Sequence, residues 1–353
     1  MDILVYGAGA VGSYLGGKLA LAGHRVTLVT RPDTAELINE KRLLITEPGR
    51  SSTPRVRAIG HLSHAFQSNQ EYGLIILGMK AYDLKAAVSH LATLCPRPAQ
   101  LMTLQNGIGV EEIIADQFHA DSILAGVVTI PISRIEANHF DVEREGRGIG
   151  IAPIRPGKSI HEWVRLFSDS GLNAGAVADY RAMKWSKAFL NIMGNASSAI
   201  LDCPPVDIYR QPELFNLEMR MLREMLAVMR RLGLEVINLP GASARPLAKL
   251  LTFAPRALLR LIFTQVIIHG RGDKMPSFHM DLAAGKGHSE VIFHNGAIAA
   301  AGQTNGIPTP VNAALNNVLM RLTNGQVPRS DFARHPEGLL DELAQYEQLM
   351  NPS

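Results

Sequence analysis

Residues 3–12 read Ile3-Leu4-Val5-Tyr6-Gly7-Ala8-Gly9-Ala10-Val11-Gly12. A β-prone apolar run leads directly into a GxGxxG, and the residues that follow continue as a helix to about Ala22. In that context each glycine has its own task. The first permits a tight turn, the second lets a pyrophosphate approach the backbone, and the third lets helix and strand pack closely. Amides left free at the helix N-terminus then face the anion. The other reading is a glycine-rich turn without a ligand. Strand, turn and helix in this order favour a dinucleotide held by Gly7, Ala8, Gly9, Ala10, Val11 and Gly12.

Working outward, short β-rich runs alternate with helical patterns, with strands expected at Ile3 to Gly7, Arg25 to Thr30, Leu74 to Leu77 and Leu101 to Leu104. That alternation predicts an α/β domain with a doubly wound parallel sheet of the Rossmann type. Pro48-Gly49 separates Leu43-Leu44-Ile45-Thr46 from Val56-Arg57-Ala58-Ile59, which reads as a β-hairpin inserted on the sheet. Further strands are expected at Val127 to Ile132 and Gly148 to Ile151. After Tyr180 the pattern is mostly helical, as at Lys184 to Leu201, Glu213 to Leu232 and Ser289 to Ala301. Two domains follow: residues 1–180, binding the nucleotide, and residues 181–353, mostly α-helical and carrying substrate and catalytic groups. The tail from Pro336 to Met350, with Leu339, Leu340, Leu343 and Tyr346 at helical spacing, is expected to dock on the body or on a second subunit of a homodimer.

Composition narrows the partners. With 353 residues, 46% hydrophobic and 19% charged, the chain is long enough for two cores and too apolar for disorder. Its formal charge of +3 is spread without a basic arm, which argues against nucleic acid. The greasiest stretch, Leu247 to Ile268, is interrupted by Lys249, Pro255, Arg256 and Arg260, so no membrane span is expected. The two cysteines, Cys95 and Cys203, lack metal-ligand spacing, and no metal site is expected. They read as reduced packing residues, and with no export signal after Met1 a cytoplasmic protein is expected.

The second strand ends Leu28-Val29-Thr30-Arg31, with no carboxylate at the point where an NAD site would bind the ribose 2′-hydroxyl. A guanidinium pairs with a phosphate dianion bidentately, so Arg31 beside Thr30 favours the 2′-phosphate of NADPH. Against this stand Asp33, two residues on, and the frequency with which such arginines are merely solvated. Ligands of open α/β sheets bind beyond the carboxyl ends of the strands, which singles out Lys80 after the fourth strand and Asn106 after the fifth. A solvated lysine at a helix start and an ordinary Asn-Gly turn are the plainer readings of the two.

In the helical half, Lys187, Asn191 and Asn195 recur at i, i+4 spacing, drifting about 40° per step along one polar stripe. Such a stripe is either the wet face of an amphipathic helix or a set of amides beside one lysine, suited to a carboxylate or hydroxyl. Further on, Ser277 lies in a Gly- and Pro-rich run, and Glu290 opens the helix containing Asn295-Gly296, where an acid is often only a dipole partner.

Taken together, these features resemble the ketopantoate reductase (2-dehydropantoate 2-reductase) family along nearly the whole chain. The likeness rests on the GxGxxG, Lys80, Asn106-Gly107, Lys187-x3-Asn191-x3-Asn195, Ser277 and Asp281 before Glu290, Asn295-Gly296, and Gly306-Ile307-Pro308-Thr309-Pro310-Val311-Asn312. The resemblance implies NADPH-dependent reduction of a 2-keto acid to a 2-hydroxy acid, in coenzyme A and pantothenate biosynthesis for the authentic enzymes. It makes Lys187 the general acid and lets Asn191, Asn195 and Ser277 hold the substrate. Asn106 would orient nicotinamide and carbonyl, and Glu290 would support the cofactor and the reacting oxygen. The chemistry agrees, because a cation beside the oxygen that gains negative charge stabilises the transition state selectively, and lysine can also give up a proton.

The chain departs from the family in three places. It carries an extra apolar segment from about Asn238 to Lys274, expected as two helices broken at Pro255, which either roofs the active site or packs between subunits. Pro205 and Lys274 stand where the family pattern has asparagines. These departures point to a substrate bulkier or more apolar than ketopantoate. Competing readings are a two-domain dehydrogenase of the 3-hydroxyacid or 6-phosphogluconate type and an NADP-binding regulator without catalysis.

Overall fold

In the computed structural model, which describes residues 1–67, 70–270 and 274–350, the chain divides into two compact units. The first is Met1–Lys184 with Asn238–Ala242; the second is Trp185–Ile237 with Ser243–Ser353.

The first unit runs β1 (Asp2–Tyr6), α1 (Ala10–Leu21), β2 (Arg25–Val29), α2 (Pro32–Lys41), β3 (Leu44–Glu47), β4 (Arg50–Ser52), β5 (Arg57–Ile59), β6 (Leu74–Leu77), α3 (Leu84–Leu94), β7 (Leu101–Thr103) and α4 (Val110–Ala115). It continues with β8 (Ile123–Val128), β9 (Ile132–Glu136), β10 (His139–Val142), β11 (Gly148–Pro153), α5 (His161–Asp169) and β12 (Asn173–Ala176). Strands β5-β2-β1-β6-β7-β8 lie side by side and parallel, the order of a dinucleotide-binding sheet. Strand β11 adds antiparallel to β8, and β12 parallel to β11. Every residue of β6 is buried, as are Ile3, Leu4 and Val5, because a parallel sheet is covered on both faces.

Two expectations need correction here. The hairpin turning at Pro48-Gly49 exists, but its second arm is Arg50–Ser52, paired with β3. The run Val56 to Ile59 instead supplies β5, parallel to β2 at the sheet edge. A tight turn pairs the residues immediately flanking it, which leaves the more distant run to a non-local partner. Strands β3, β4, β9 and β10 form a separate four-stranded sheet, tied to α1 by Lys18 Nζ, 3.0 Å from a Glu47 carboxylate oxygen. The expected strand Val127 to Ile132 is two strands, β8 and β9, separated at Thr129-Ile130-Pro131, where proline has no N–H for a ladder.

Helix α6 (Tyr180–Ile192) contains the division between the units. The second unit holds α7 (Ala196–Leu201), α8 (Pro205–Arg210), α9 (Pro212–Arg231), α10 (Ala244–Phe253), α11 (Arg256–Gly270), α12 (Ser277–Ala283), α13 (Asn295–Asn305), α14 (Pro310–Thr323) and α15 (Pro336–Met350). The apolar segment forms two helices, α10 and α11, separated at Ala254-Pro255. Leu259, Phe263 and Ile267 are the buried stripe of α11, which packs on α8. Lys184 to Leu201 is not one helix. Gly194, at φ +64°, lies in the turn between α6 and α7, and Asn195 is the N-cap of α7, so Asn195 stands outside the helix that carries Lys187 and Asn191. Glu290 likewise opens a single 3-10 turn, Glu290–Phe293, and α13 begins only at Asn295.

Candidate functional site

The glycine turn between β1 and α1 has the geometry its sequence predicts. Gly7 takes φ +90°, and a Cβ there would run into the backbone of Met79. A Cβ on Gly12 would lie 2.8 Å from the Gly7 carbonyl oxygen and 3.0 Å from Val5, so the third glycine serves helix–strand packing. Around Gly9 nothing lies within 4 Å of where a Cβ would be. No neighbour in the protein demands glycine there, and the open space leaves the backbone of the turn accessible. The amides of Gly7 and Ala8 are engaged by the Val29 carbonyl at 3.1 and 3.0 Å. The amides left to meet an anion are therefore those of Ala10, Val11 and Gly12, in the first turn of α1, which has no preceding turn of carbonyls. These residues fit a pyridine dinucleotide.

The remaining nucleotide candidates follow β2, β6 and β7, neighbours of β1 in the order β2-β1-β6-β7. Arg31 is exposed at the N-cap of α2, and Asp33 is exposed in the first turn of that helix. Lys80 is half-buried and caps a 3-10 turn, Ala81–Asp83, so it is not a freely solvated lysine. Asn106 is the one exposed residue of the otherwise buried run 100–107, with Gly107 at φ +114° and Gly109 at φ +88° behind it.

In the second unit, residues 182–201 are buried except Lys187, Leu190 and Asn191, which are half-buried. Beyond its first turn, where Arg181 is exposed, the helix has no wet polar face, only this narrow window. Asn195 is buried, and its Oδ1 accepts from the Phe278 amide at 3.3 Å, just inside α12, whose first residue is the half-buried Ser277. The ring of Phe278 meets that of His294, 5.4 Å between centroids, at the end of the turn opened by the buried Glu290. Asn195, Ser277 and the Glu290 turn are thus gathered by one set of contacts. Behind them, Asn295 donates to Asn312 Oδ1 at 3.0 Å, and Asn312 in turn donates to Glu224 at 2.7 Å. Glu224 also accepts from the amides of Val311 and Asn312 at 2.9 and 3.0 Å, capping α14. Burial pushes the Glu224 carboxyl above its ordinary range, although these donors pull it down.

Three buried charges, Glu218 and the pair Lys184 and Glu111, were not singled out as site residues in the sequence. Glu218 is fully buried and accepts from the Gly194 amide, Ser197 Oγ and the Tyr209 hydroxyl at 2.8, 2.6 and 3.0 Å. Lys184 pairs with Glu111 at 2.8 Å and donates to the Gln105 carbonyl at 2.9 Å. The available signal was a charge at a core position of an otherwise apolar stripe: Glu218 continues Leu214 and precedes Leu222 at i, i+4. Cys203 is held as a thiol, since burial pushes it up to about 11. Among the described residues no cluster of His, Cys, Asp and Glu could hold a metal, and no helix is long and apolar enough to cross a membrane.

The family models of ketopantoate reductase match residues 3–152, and those of its C-terminal part match residues 179–323. A 2-dehydropantoate 2-reductase of Archaeoglobus fulgidus is 26% identical over 92% of this chain and 98% of its own length. One from Pyrococcus horikoshii is 30% identical over 64% and 72%. Among solved structures, a ketopantoate reductase from Ralstonia eutropha superposes with a TM-score of 0.77, 24% identity and coverage of 92% and 99%. D-mandelate dehydrogenase with NADH and anilino(oxo)acetate gives 0.76, 21% identity and the same coverage. Both likenesses are of fold. With both halves of the family pattern matched in order, the chain belongs to the ketopantoate reductase family.

Proposed function

We propose that the protein reduces a 2-keto acid to a 2-hydroxy acid with NADPH. The observation that carries this reading is that the chain holds both an open Gly9 turn after β1, in the first unit, and, in the second, a stretch buried except at Lys187, Leu190 and Asn191. The bound nicotinamide supplies the hydride. Arg31 pairs with the 2′-phosphate, the first-turn amides of α1 face the pyrophosphate, and Lys80 and Asn106 line the cleft toward the nicotinamide. Lys187 gives its proton to the carbonyl oxygen as charge develops there. Because Asn195 Oδ1 already accepts from Phe278, its Nδ2 is the end left to donate to a substrate carboxylate, alongside Asn191 and Ser277. Glu290 orients the cofactor and the reacting oxygen.

Substrate size follows from what replaces a polar contact. Pro205 begins α8 and has no amide N–H or polar side chain, so one hydrogen bond to a substrate hydroxyl is missing. Helix α11 packs against the same short helix. These features favour a 2-keto acid bulkier or more apolar than ketopantoate. The test is the fall in NADPH absorbance with a panel of 2-keto acids, ketopantoate and aryl 2-keto acids included. Turnover with at least one of them is expected; tight NADPH binding with none reduced would favour a regulator instead.

A further inference from the structure

The ion pair Lys184–Glu111 lies almost wholly out of water, at 2% and 1% exposure, and its two members come from α6 and α4. A buried pair gives up hydration worth roughly what it regains, and an apolar pair of like volume is often as stable. Core packing alone gives no reason for it. Its hydrogen bonds do give one. Glu111 also accepts from Thr103 Oγ1 at 2.6 Å, at the end of β7. Lys184 donates to the Gln105 carbonyl at 2.9 Å, two residues beyond β7.

That carbonyl belongs to the peptide joining Gln105 to Asn106. In a trans peptide C=O and N–H point opposite ways, so holding the carbonyl on Lys184 sets the direction in which the Asn106 amide points. The Gln105 side chain meanwhile reaches across to β6. Its Nε2 donates to the carbonyls of Leu77 and Met79 at 2.9 and 3.1 Å. The Met79 carbonyl belongs to the peptide joining Met79 to Lys80. One buried glutamine therefore fixes the peptide before each of the two cleft residues, and the Lys184–Glu111 pair fixes the glutamine.

We propose that Lys184, charged and paired with Glu111, is a positioning residue for the cofactor, acting through Gln105 on the loops that carry Lys80 and Asn106. The proposal rests on the reading of those two residues as nicotinamide contacts. Neither Lys184 nor Glu111 touches the cofactor; each acts on the shape of the cleft.

The test measures NADPH affinity by fluorescence titration, thermal midpoint and steady-state kinetics on the full chain. The variants are Lys184→Met combined with Glu111→Met, which removes the charges together, and Gln105→Met, which cuts the glutamine side chain's ties to Leu77, Met79 and the Leu104 amide while leaving the ion pair in place. A loss of NADPH affinity of at least tenfold is expected in both, with the Michaelis constant for the keto acid changed less than threefold. The double variant should keep a thermal midpoint near that of the wild type. Glu111→Asp, which keeps the charge, should recover part of the lost affinity. Should the double variant fail to fold, Gln105→Met alone decides: unchanged NADPH affinity in it overturns the proposal. A folded double variant that binds NADPH as the wild type does also overturns it, and leaves the pair as core filling. Wild-type protein that binds neither NADPH nor NADH would remove the reading beneath the proposal, and the proposal with it.

Discussion

The fully buried carboxylate of Glu218, on α9, accepts the amide of Gly194 at 2.8 Å, in the turn where α6 ends. With Ser197 and Tyr209 as its other donors, this carboxylate braces the break that separates Asn191 from Asn195. Gly194 itself sits at φ +64°, and a Cβ there would come within 2.9 Å of the Pro205 Cβ. Gly194→Ala should therefore destabilise the protein by about 2–3 kcal/mol, summing left-handed strain and the overlap with proline. Urea unfolding of the variant beside the wild type measures this. A change below about 0.5 kcal/mol, the scatter of ordinary surface substitutions, would show that the turn is not held as described.

How far the sequence discloses the molecule depends on the range of the interaction that decides each part. The glycine turn at Gly7, Gly9 and Gly12 was legible because turn chemistry is local, and a doubly wound parallel sheet followed from the strand–helix alternation. The run Arg57–Ile59 was misread because its β-propensity is the same in a hairpin arm as in a parallel edge strand; only the non-local pairing with β2 distinguishes them. Asn195 looked like the third member of a stripe because nothing near Gly194 announces a break, which depends on Glu218 and Pro205 from elsewhere in the chain. The spacing put Lys187 and Asn191 on one helix, as the structure has them, whereas the burial of the rest of that stretch was not legible.

Cofactor choice is expected to reside at Arg31. Removing a bidentate partner of a phosphate dianion forfeits about 1.5–3 kcal/mol, roughly 10- to 100-fold in affinity. Arg31→Ala should lose that much in kcat/KM with NADPH and stay within about twofold with NADH, which has no 2′-phosphate. Equal losses with both cofactors would show that the arginine serves the cleft in general and does not read the phosphate.

Glu224 should leave a signature in the pH dependence of stability. Its carboxyl is raised in the native state, chiefly by burial, so between the unfolded and native values the folded protein holds a proton that the unfolded chain has released. The corresponding stability is fully present below the unfolded value and is lost as pH rises through the native one. Thermal midpoints of wild type and Glu224→Gln, taken from about pH 4 to about pH 7, should therefore diverge in favour of the variant as pH rises. A constant difference across that range would mean that the hydrogen bonds from Val311 and Asn312 cancel the effect of burial, and a divergence in favour of the wild type would mean that they outweigh it.

Substrate preference is expected to favour size. With Pro205 offering no hydrogen bond, an aryl or branched 2-keto acid should show a kcat/KM roughly tenfold or more above that of ketopantoate, the worth of about one lost polar contact. A value for ketopantoate at least equal to that of every larger acid tested would contradict this while leaving the reductase reading intact.

Lys187→Ala tests most directly the proposal that Lys187 delivers the proton in a nicotinamide-dependent reduction. Turnover at saturating keto acid and NADPH should fall by about a hundredfold or more, the low end for loss of a positioned acid, while the dissociation constant for NADPH stays within about threefold. The reason is location: the nucleotide-binding turn and the strands that flank it belong to the other compact unit of the chain. A variant that turns over the keto acid at a near-normal rate would return Lys187 to the role of a half-buried helix lysine and contradict the account.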